Sequence, residues 1–387
     1  MHRQPPTYDA VVVGARAAGA ATAMLLARHG LRVLVVDRSR YGADTLSTHA
    51  LMRGGVLQLH RWNLLDRVIE AGTPPVRRTT FIYGTERVAI TIKPSYGVDA
   101  LYAPRRTVLD PILVDGATAA GAEIRYGITV TGVRRDDSGR VAGIVGRDER
   151  GRAFAVDAAI VVGADGARST IANGVDAPIE RAGSGATAVV YGYWTGLDAD
   201  GYEWIYRRHA AAGIIPTNDD QACVFAAASP ARIGAGGLDV LREILADAAP
   251  DVAARVDAAT APAGVRSFKG RPGFIRRSWG SGWALVGDAG YWKDPISVHG
   301  LTDALRDAEL LTRAIASTEP GGPDRTDALA DYQDTRDRLS HQLFDIVDII
   351  AAQRWTDDEI PGLLLQLSAA MADEVEALAT LDAVAVP

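Results

Sequence analysis

The chain has 387 residues, a net charge of −7, 48% apolar residues and 23% charged residues, which is ordinary globular material in an amount suited to two or three domains. This excludes a wholly disordered chain, and the acidic excess argues against a nucleic-acid binder, which needs a basic face. The single cysteine, Cys223, excludes an intramolecular disulfide and a cysteine metal cluster. No apolar run approaches the ~18 residues of a membrane span, and the N-terminus lacks the basic-then-apolar order of a signal peptide. The expectation is a cytoplasmic protein, monomer or homodimer, without integral membrane contact.

Asp9 to Val13 is apolar and rich in valine, as a buried parallel strand is. Ala18 to Arg28 is apolar nearly all round, which predicts a buried helix, and Gly30 falls where a C-terminal cap belongs. Arg32 to Asp37 reads as a second buried strand, giving a βαβ unit with a right-handed crossover. Thr79 to Ile92 reads as a smaller excursion that adds strands to a later sheet. Ile160 to Val162 and Trp283 to Val286 are further buried strands, each running into a glycine-acid turn, Gly163-Ala164-Asp165-Gly166 and Gly287-Asp288. Between them, strand-like segments such as Ala186 to Trp194 and Cys223 to Ala228 predict an inserted, mostly antiparallel sheet, with a helix at Leu238 to Ala248. Gly300 to Ser317 is helical by period, and residues 325 to 387 predict two helices divided at Pro361-Gly362.

The expected fold class is α/β: a Rossmann-like nucleotide-binding domain (1–78, 93–175 and 267–318), an inserted substrate-domain sheet (79–92 and 176–266) and a C-terminal helical segment (319–387). After the first strand comes Gly14-Ala15-Arg16-Ala17-Ala18-Gly19, a G-x-G-x-x-G turn with arginine in place of the middle glycine. With a strand before it, a helix after it and Asp37 closing the next strand, the turn points to a dinucleotide. Its exposed N–H groups and the helix dipole attract a pyrophosphate. An acid at position 37 suits a ribose with free hydroxyls, as in FAD or NAD.

With Val162-Gly-Ala-Asp165-Gly166-Ala-Arg168-Ser169 and Gly287-Asp288 through Pro295 to Gly300-Leu301-Thr302, the chain resembles the FAD-dependent monooxygenase superfamily of the para-hydroxybenzoate hydroxylase fold. That superfamily also holds flavin-dependent halogenases and geranylgeranyl-type reductases. The resemblance implies FAD contacts from Gly14, Ala15, Arg16, Ala18 and Gly19 at the pyrophosphate, and from Asp37 and Arg38 at the adenosine ribose. It implies Arg53 near the pyrophosphate, Arg105 at the ribityl phosphate, and Asp165 serving both FAD and NAD(P)H. Gly287 and Asp288 would meet the flavin-side chain and Pro295 the isoalloxazine. Gly300 and Leu301 would donate N–H groups to the flavin O2 side, where a helix start stabilises an anionic reduced flavin. The chain departs from the family pattern at Gly290-Tyr291, Ser297 and Thr302.

The resemblance implies an FAD-dependent oxidoreductase: an NAD(P)H-dependent monooxygenase acting with O2, through a C4a-hydroperoxyflavin, to hydroxylate or epoxidise an aromatic or polyketide-like small molecule. NADPH or NADH would be a transient reductant. The alternatives are a reductase or dehydrogenase acting on a C=C or C–H bond, like the geranylgeranyl reductases, and a non-catalytic flavin-binding module. The Trp-x-Trp-x-Ile-Pro motif of the halogenases is absent. Candidate catalytic residues are His49, His299 and Tyr291. Trp194, Trp204 and Tyr206 suggest an aromatic substrate wall. Pro216-Thr217-Asn218 reads as a strand end over the substrate cavity or a plain β-turn, and Lys293-Asp294 as a site edge or a surface ion pair. Arg207-Arg208 and Arg276-Arg277 read as solvated faces, and Cys223 as a buried apolar residue. No metal site is expected.

Overall fold

A computed structural model describes residues 8–319 and 322–382. Its central sheet runs in the order Trp279–Gly280, Trp283–Leu285, Ala153–Gly163, Tyr8–Val13, Val33–Asp37, Glu123–Tyr126. The last five of these strands are mutually parallel. Tyr8–Val13 lies between two neighbours and is buried on both faces: Ala10 and Val12 join one core cluster, Val11 and Val13 another. That is why its sequence is a continuous apolar run rather than an alternating one. The alanine-rich helix Ala17–Arg28 packs between the helices Arg106–Ala119 and Gly300–Ala316, and its small side chains allow both approaches.

Ala153–Gly163 belongs to two ladders. Its first half pairs antiparallel with Val141–Arg147, and its second half runs parallel to Tyr8–Val13. The first half alternates in burial, so only Ile160 to Val162 stood out as a strand in the sequence.

The second sheet has the order Arg266–Phe268, Ala188–Thr195, Gln221–Ala228, Ala210–Pro216, Tyr202–Arg207, Arg78–Tyr83, Glu86–Thr91, so the early excursion does pair with the later strands. The two-residue period of a strand divides its side chains between two layers. Trp194, Ile205, Ile214 and Val224 pack on the helices Leu238–Ala248 and Pro250–Ala258. Tyr191, Trp204, Tyr206, Cys223 and Phe225 join the core of the nucleotide-binding half. Trp194 therefore leaves the expected aromatic wall, and Tyr191 and Phe225 enter it.

The C-terminal helices are Pro323–Ala351 and Ile360–Ala379. The break precedes Pro361, which sits in the first turn of the second helix, where its missing N–H breaks no intrahelical bond. Arg61 ties down the end of that helix by donating to the Leu378, Leu381 and Asp382 carbonyls. Among the described residues no helix is long and apolar enough to cross a membrane.

Candidate functional site

Two glycines of the first turn are dictated by close approach. A Cβ at Gly14 (φ +108) would lie 2.4 Å from the Ala164 carbonyl oxygen, and one at Gly19 would lie 1.8 Å from the Gly14 oxygen. Asp37 organises the turn: one carboxylate oxygen accepts the Ala15 N–H at 2.7 Å, and the other accepts the Ser39 N–H at 2.7 Å and its hydroxyl at 2.6 Å. Arg16 reaches across to the Ala43 and Asp44 carbonyls (3.2 and 3.4 Å) and to Asp110 at 3.5 Å. It straps down a cleft of about 10 Å³ lined by Ala15, Ser39, Gly42, Pro111 and Tyr126. Ala18 is half-buried and Arg38 is exposed.

The second part of the site is built on the helix Gly300–Ala316. Gly287 packs against Ala304, and its N–H donates to Asp307 at 3.1 Å. The carboxylate of Asp288 makes no protein hydrogen bond among the described residues. Burial pushes its pKa up to about 6, against the pull of Lys293 and Arg106. The helix itself begins without a side-chain cap, Leu301 is half-buried, and a Cβ at Gly300 would meet nothing within 4 Å. Uncapped N–H groups, an unpaired carboxylate and a glycine cradle are the donor and acceptor set that a pyrophosphate and a polyhydroxylated chain require. The residues present fit FAD.

Several side chains stand elsewhere than expected. The Arg53 guanidinium donates to the Val98 and Lys93 carbonyls at 3.1 and 2.8 Å. Arg105 turns toward the second sheet, bonding Gln221 at 3.0 Å and stacking 3.6 Å over the Tyr193 ring. Its neighbour Arg106 is buried, pairs with Asp110 through two bonds of 2.9 Å and helps draw down the Asp288 pKa. Arg106 is thus the better placed of the two toward the cofactor groove, and the arginine–aspartate spacing of four at a helix start was the available signal. Asp165 caps its own short helix, accepting from Ser169 (2.5 Å), Thr170 (2.6 Å) and Ile171 (3.3 Å). Arg276 is buried over Phe274 and donates to the Ala289 carbonyl, so it is not a solvated arginine.

Thr217 and Asn218 form a turn that pins the second sheet to the first domain. Thr217 donates to the Ala103 carbonyl at 2.7 Å, and Asn218 accepts from the Arg105 N–H at 2.9 Å and donates to Ala71 and Thr73. His49 lies beside this turn, buried, with a left-handed backbone (φ +51). Its Nδ1 meets the Ala103 carbonyl at 3.1 Å. A carbonyl only accepts, so Nδ1 carries the hydrogen and Nε2 is a bare, unpartnered acceptor. Burial, then Arg105, pushes the His49 pKa down to about 3, and the ring stacks on Tyr193 at 5.7 Å.

Behind the flavin-side loop lies a buried ionic network that the sequence did not announce. Pro295 opens a half-buried turn, and Asp294 caps it while accepting the Thr187 N–H at 2.6 Å. Lys293 pairs with Asp303 and lies over Tyr291. Lys293 and Asp294 are therefore both interior groups, not a surface pair, and burial pushes the Lys293 pKa down to about 7. Tyr291 is buried with an unpartnered hydroxyl. His299, Asp303 and Glu374 bring ligand-type atoms within 4.8 Å of one another. Lys293 and Arg306 already sit on those carboxylates, which ties the cluster into an ion-pair network.

A glycine turn closed by Asp37 on a parallel sheet, with an inserted, mostly antiparallel sheet and the unpaired carboxylate of Asp288, is the framework of an FAD-binding domain. Residues 7–347 match the family described as FAD binding domain, and the chain belongs to it. A probable electron transfer flavoprotein-quinone oxidoreductase of Escherichia coli is 31% identical over 42% of this chain, a match spanning only 38% of that protein. A digeranylgeranylglycerophospholipid reductase of Methanocella arvoryzae is 24% identical over 87% of this chain and 84% of that protein. Among solved structures, the myxobacterial halogenase CndH has a TM-score of 0.78 at 21% identity, covering 98% of this chain and 92% of that one. PqsL of P. aeruginosa has 0.77 at 21% identity, covering 92% and 99%. The two solved structures share the fold of this chain.

Proposed function

We propose that the protein is an NAD(P)H-dependent monooxygenase that hydroxylates or epoxidises an aromatic or polyketide-like small molecule. The observation that carries this reading is a row of aromatic side chains on the face of the second sheet that meets the nucleotide-binding half. The register sets Tyr191, Phe225, Gly213, Trp204 and Phe81 in one row across five strands. Gly213 leaves room for the Phe225 ring, since a Cβ there would lie 2.4 Å from it. An aromatic surface of this kind suits a flat, apolar substrate. Gly14, Gly19 and Arg106 would hold the pyrophosphate region of FAD, Asp37 the ribose, Asp288 the flavin-side hydroxyls, and Gly300 and Leu301 the flavin edge. Arg53, Arg105, Arg38, Asp165 and Pro295 would act around these contacts or on the transient nicotinamide. When bound, FAD supplies the two-electron chemistry that joins a nicotinamide, O2 and the substrate. The chain orients the partners and excludes water, and His49 offers a neutral Nε2 acceptor to a donor group.

The test is anaerobic titration of the FAD-loaded protein with NADPH and NADH, then mixing with air-saturated buffer and candidate aromatics. Substrate-accelerated flavin reduction and oxygen in the product are expected. A second reading, reduction of a C=C bond without O2, is favoured by the similarity to the archaeal lipid reductase over most of both chains. Conversion of an isoprenoid alkene under argon, with no oxygenated product in air, would select it.

A further inference from the structure

The helix Ile360–Ala379 carries a carboxylate into the interior of the flavin-side loop. Glu374 is 1% exposed. One of its oxygens lies 2.5 Å from His299 Nε2, and the other accepts from Arg306 at 2.8 Å. A carboxylate only accepts, so Nε2 carries a hydrogen. His299 Nδ1 has no partner and is buried. A hydrogen there would be a buried donor without an acceptor, which is costly. The neutral Nε2–H tautomer leaves no such donor, and burial pushes the His299 pKa down in the same sense. The other charged groups around the imidazole are Asp303, with an oxygen 4.0 Å from Nε2, Arg306 on the same helix, and Lys293 on the preceding strand segment. Burial opposes ionisation of Glu374, but the Arg306 charge and the hydrogen bond from His299 hold its pKa down.

His299 is the residue before Gly300 and Leu301, and its carbonyl accepts the first bond of their helix, from the Asp303 N–H at 3.1 Å. On its other side Val298 is left-handed (φ +52), a conformation a β-branched residue adopts only when its surroundings hold it. We propose that Glu374 is a positioning residue for the cofactor. It fixes His299 in one tautomer and one place, and through it the Val298–Leu301 turn. The C-terminal helix is then a working part of the flavin site. The inference rests on the FAD reading above.

Two readouts test it. Nitrogen NMR of the histidine-labelled apoprotein should show His299 protonated at Nε2 only, and Glu374→Ala, which removes the acceptor, should lose that single-tautomer pattern. Fluorescence titration with FAD should show Glu374→Gln and His299→Phe each binding about tenfold more weakly or worse, the scale of one charge-assisted hydrogen bond. The double variant should bind no more weakly than the weaker single one, because both act through one contact. Thermal unfolding of each apoprotein reports fold loss separately. Parent-like FAD affinity and flavin spectrum in a folded Glu374→Gln overturns the inference, as do additive losses in the double variant. If Glu374→Gln does not fold, His299→Phe on the intact helix decides alone, and parent-like affinity there overturns it. A parent that binds no FAD overturns the cofactor reading and this inference together; a parent that binds beside unaffected variants sinks only the inference.

Discussion

Arg16 replaces the glycine that usually lets a pyrophosphate approach the turn, and its long side chain straps the cleft beneath it. Arg16→Gly should remove a positive charge and the strap over the cleft, so bound FAD should dissociate faster; stopped-flow fluorescence reads the rate. Asp288 sets a pH dependence. Its folded pKa is about 6 against an ordinary 3.8, so between these values the folded form keeps a proton the unfolded form has lost. Its penalty is absent below about pH 4, grows as pH rises and is complete above about pH 6. The melting-temperature gain of Asp288→Asn over the parent should therefore rise across that window and level off. A gain that is flat with pH would refute the assignment. Gly213 leaves no space for a methyl group, so Gly213→Val should displace the Phe225 ring and destabilise by about 1–3 kcal/mol in denaturant titration.

The helices were the more legible elements. Leu238–Ala248 follows its apolar period to the residue, and Ala17–Arg28 begins one position early. The strand Glu86–Thr91 is exposed along its length and was found only as part of the excursion from Thr79 to Ile92. The division of the C-terminal helices was misplaced because proline is tolerated in a first turn as well as at a break. The juxtaposition of Gly14, Gly19 and Asp37 was legible because a single strand-turn-helix unit brings them together. Glu374 was not, because its partner His299 is 75 positions away and only packing brings them together. Glu309 is a similar case: buried, it binds Arg61, Arg313, Gln58 and Trp62 and ties its own helix to Arg53–Arg61, whose Arg61 in turn holds the end of the C-terminal helix. Glu309→Ala leaves those cations uncompensated and should cost about 3 kcal/mol or more. Faster hydrogen exchange in the last turn of Ile360–Ala379 would localise the loss.

Across the whole molecule, the two sheets are coupled by a hairpin tip rather than by a broad seam of side chains alone. Asn218 closes hydrogen bonds to Arg105, Ala71 and Thr73. Asn218→Ala would strand the Arg105 N–H and should cost about 1–3 kcal/mol. Calorimetry should show the second sheet melting earlier relative to the first. Unchanged coincidence of the two transitions would place the coupling in the core instead. The strand-like segments predicted an inserted sheet, but only the register shows which aromatics share a face.

The strand Trp283–Leu285 completes the parallel sheet by docking on Ala153–Gly163, after the whole inserted sheet has been threaded between them. During synthesis from the N-terminus, the edge of Ala153–Gly163 that it covers stays bare until most of the chain has left the ribosome. A bare edge of this kind invites pairing with other chains, and contacts between distant segments form slowly. The protein should therefore refold slowly from denaturant and depend on chaperones at high expression. Nascent chains arrested before Trp283 should stay protease-sensitive in their first two strands, while those extended past Ala316 become resistant.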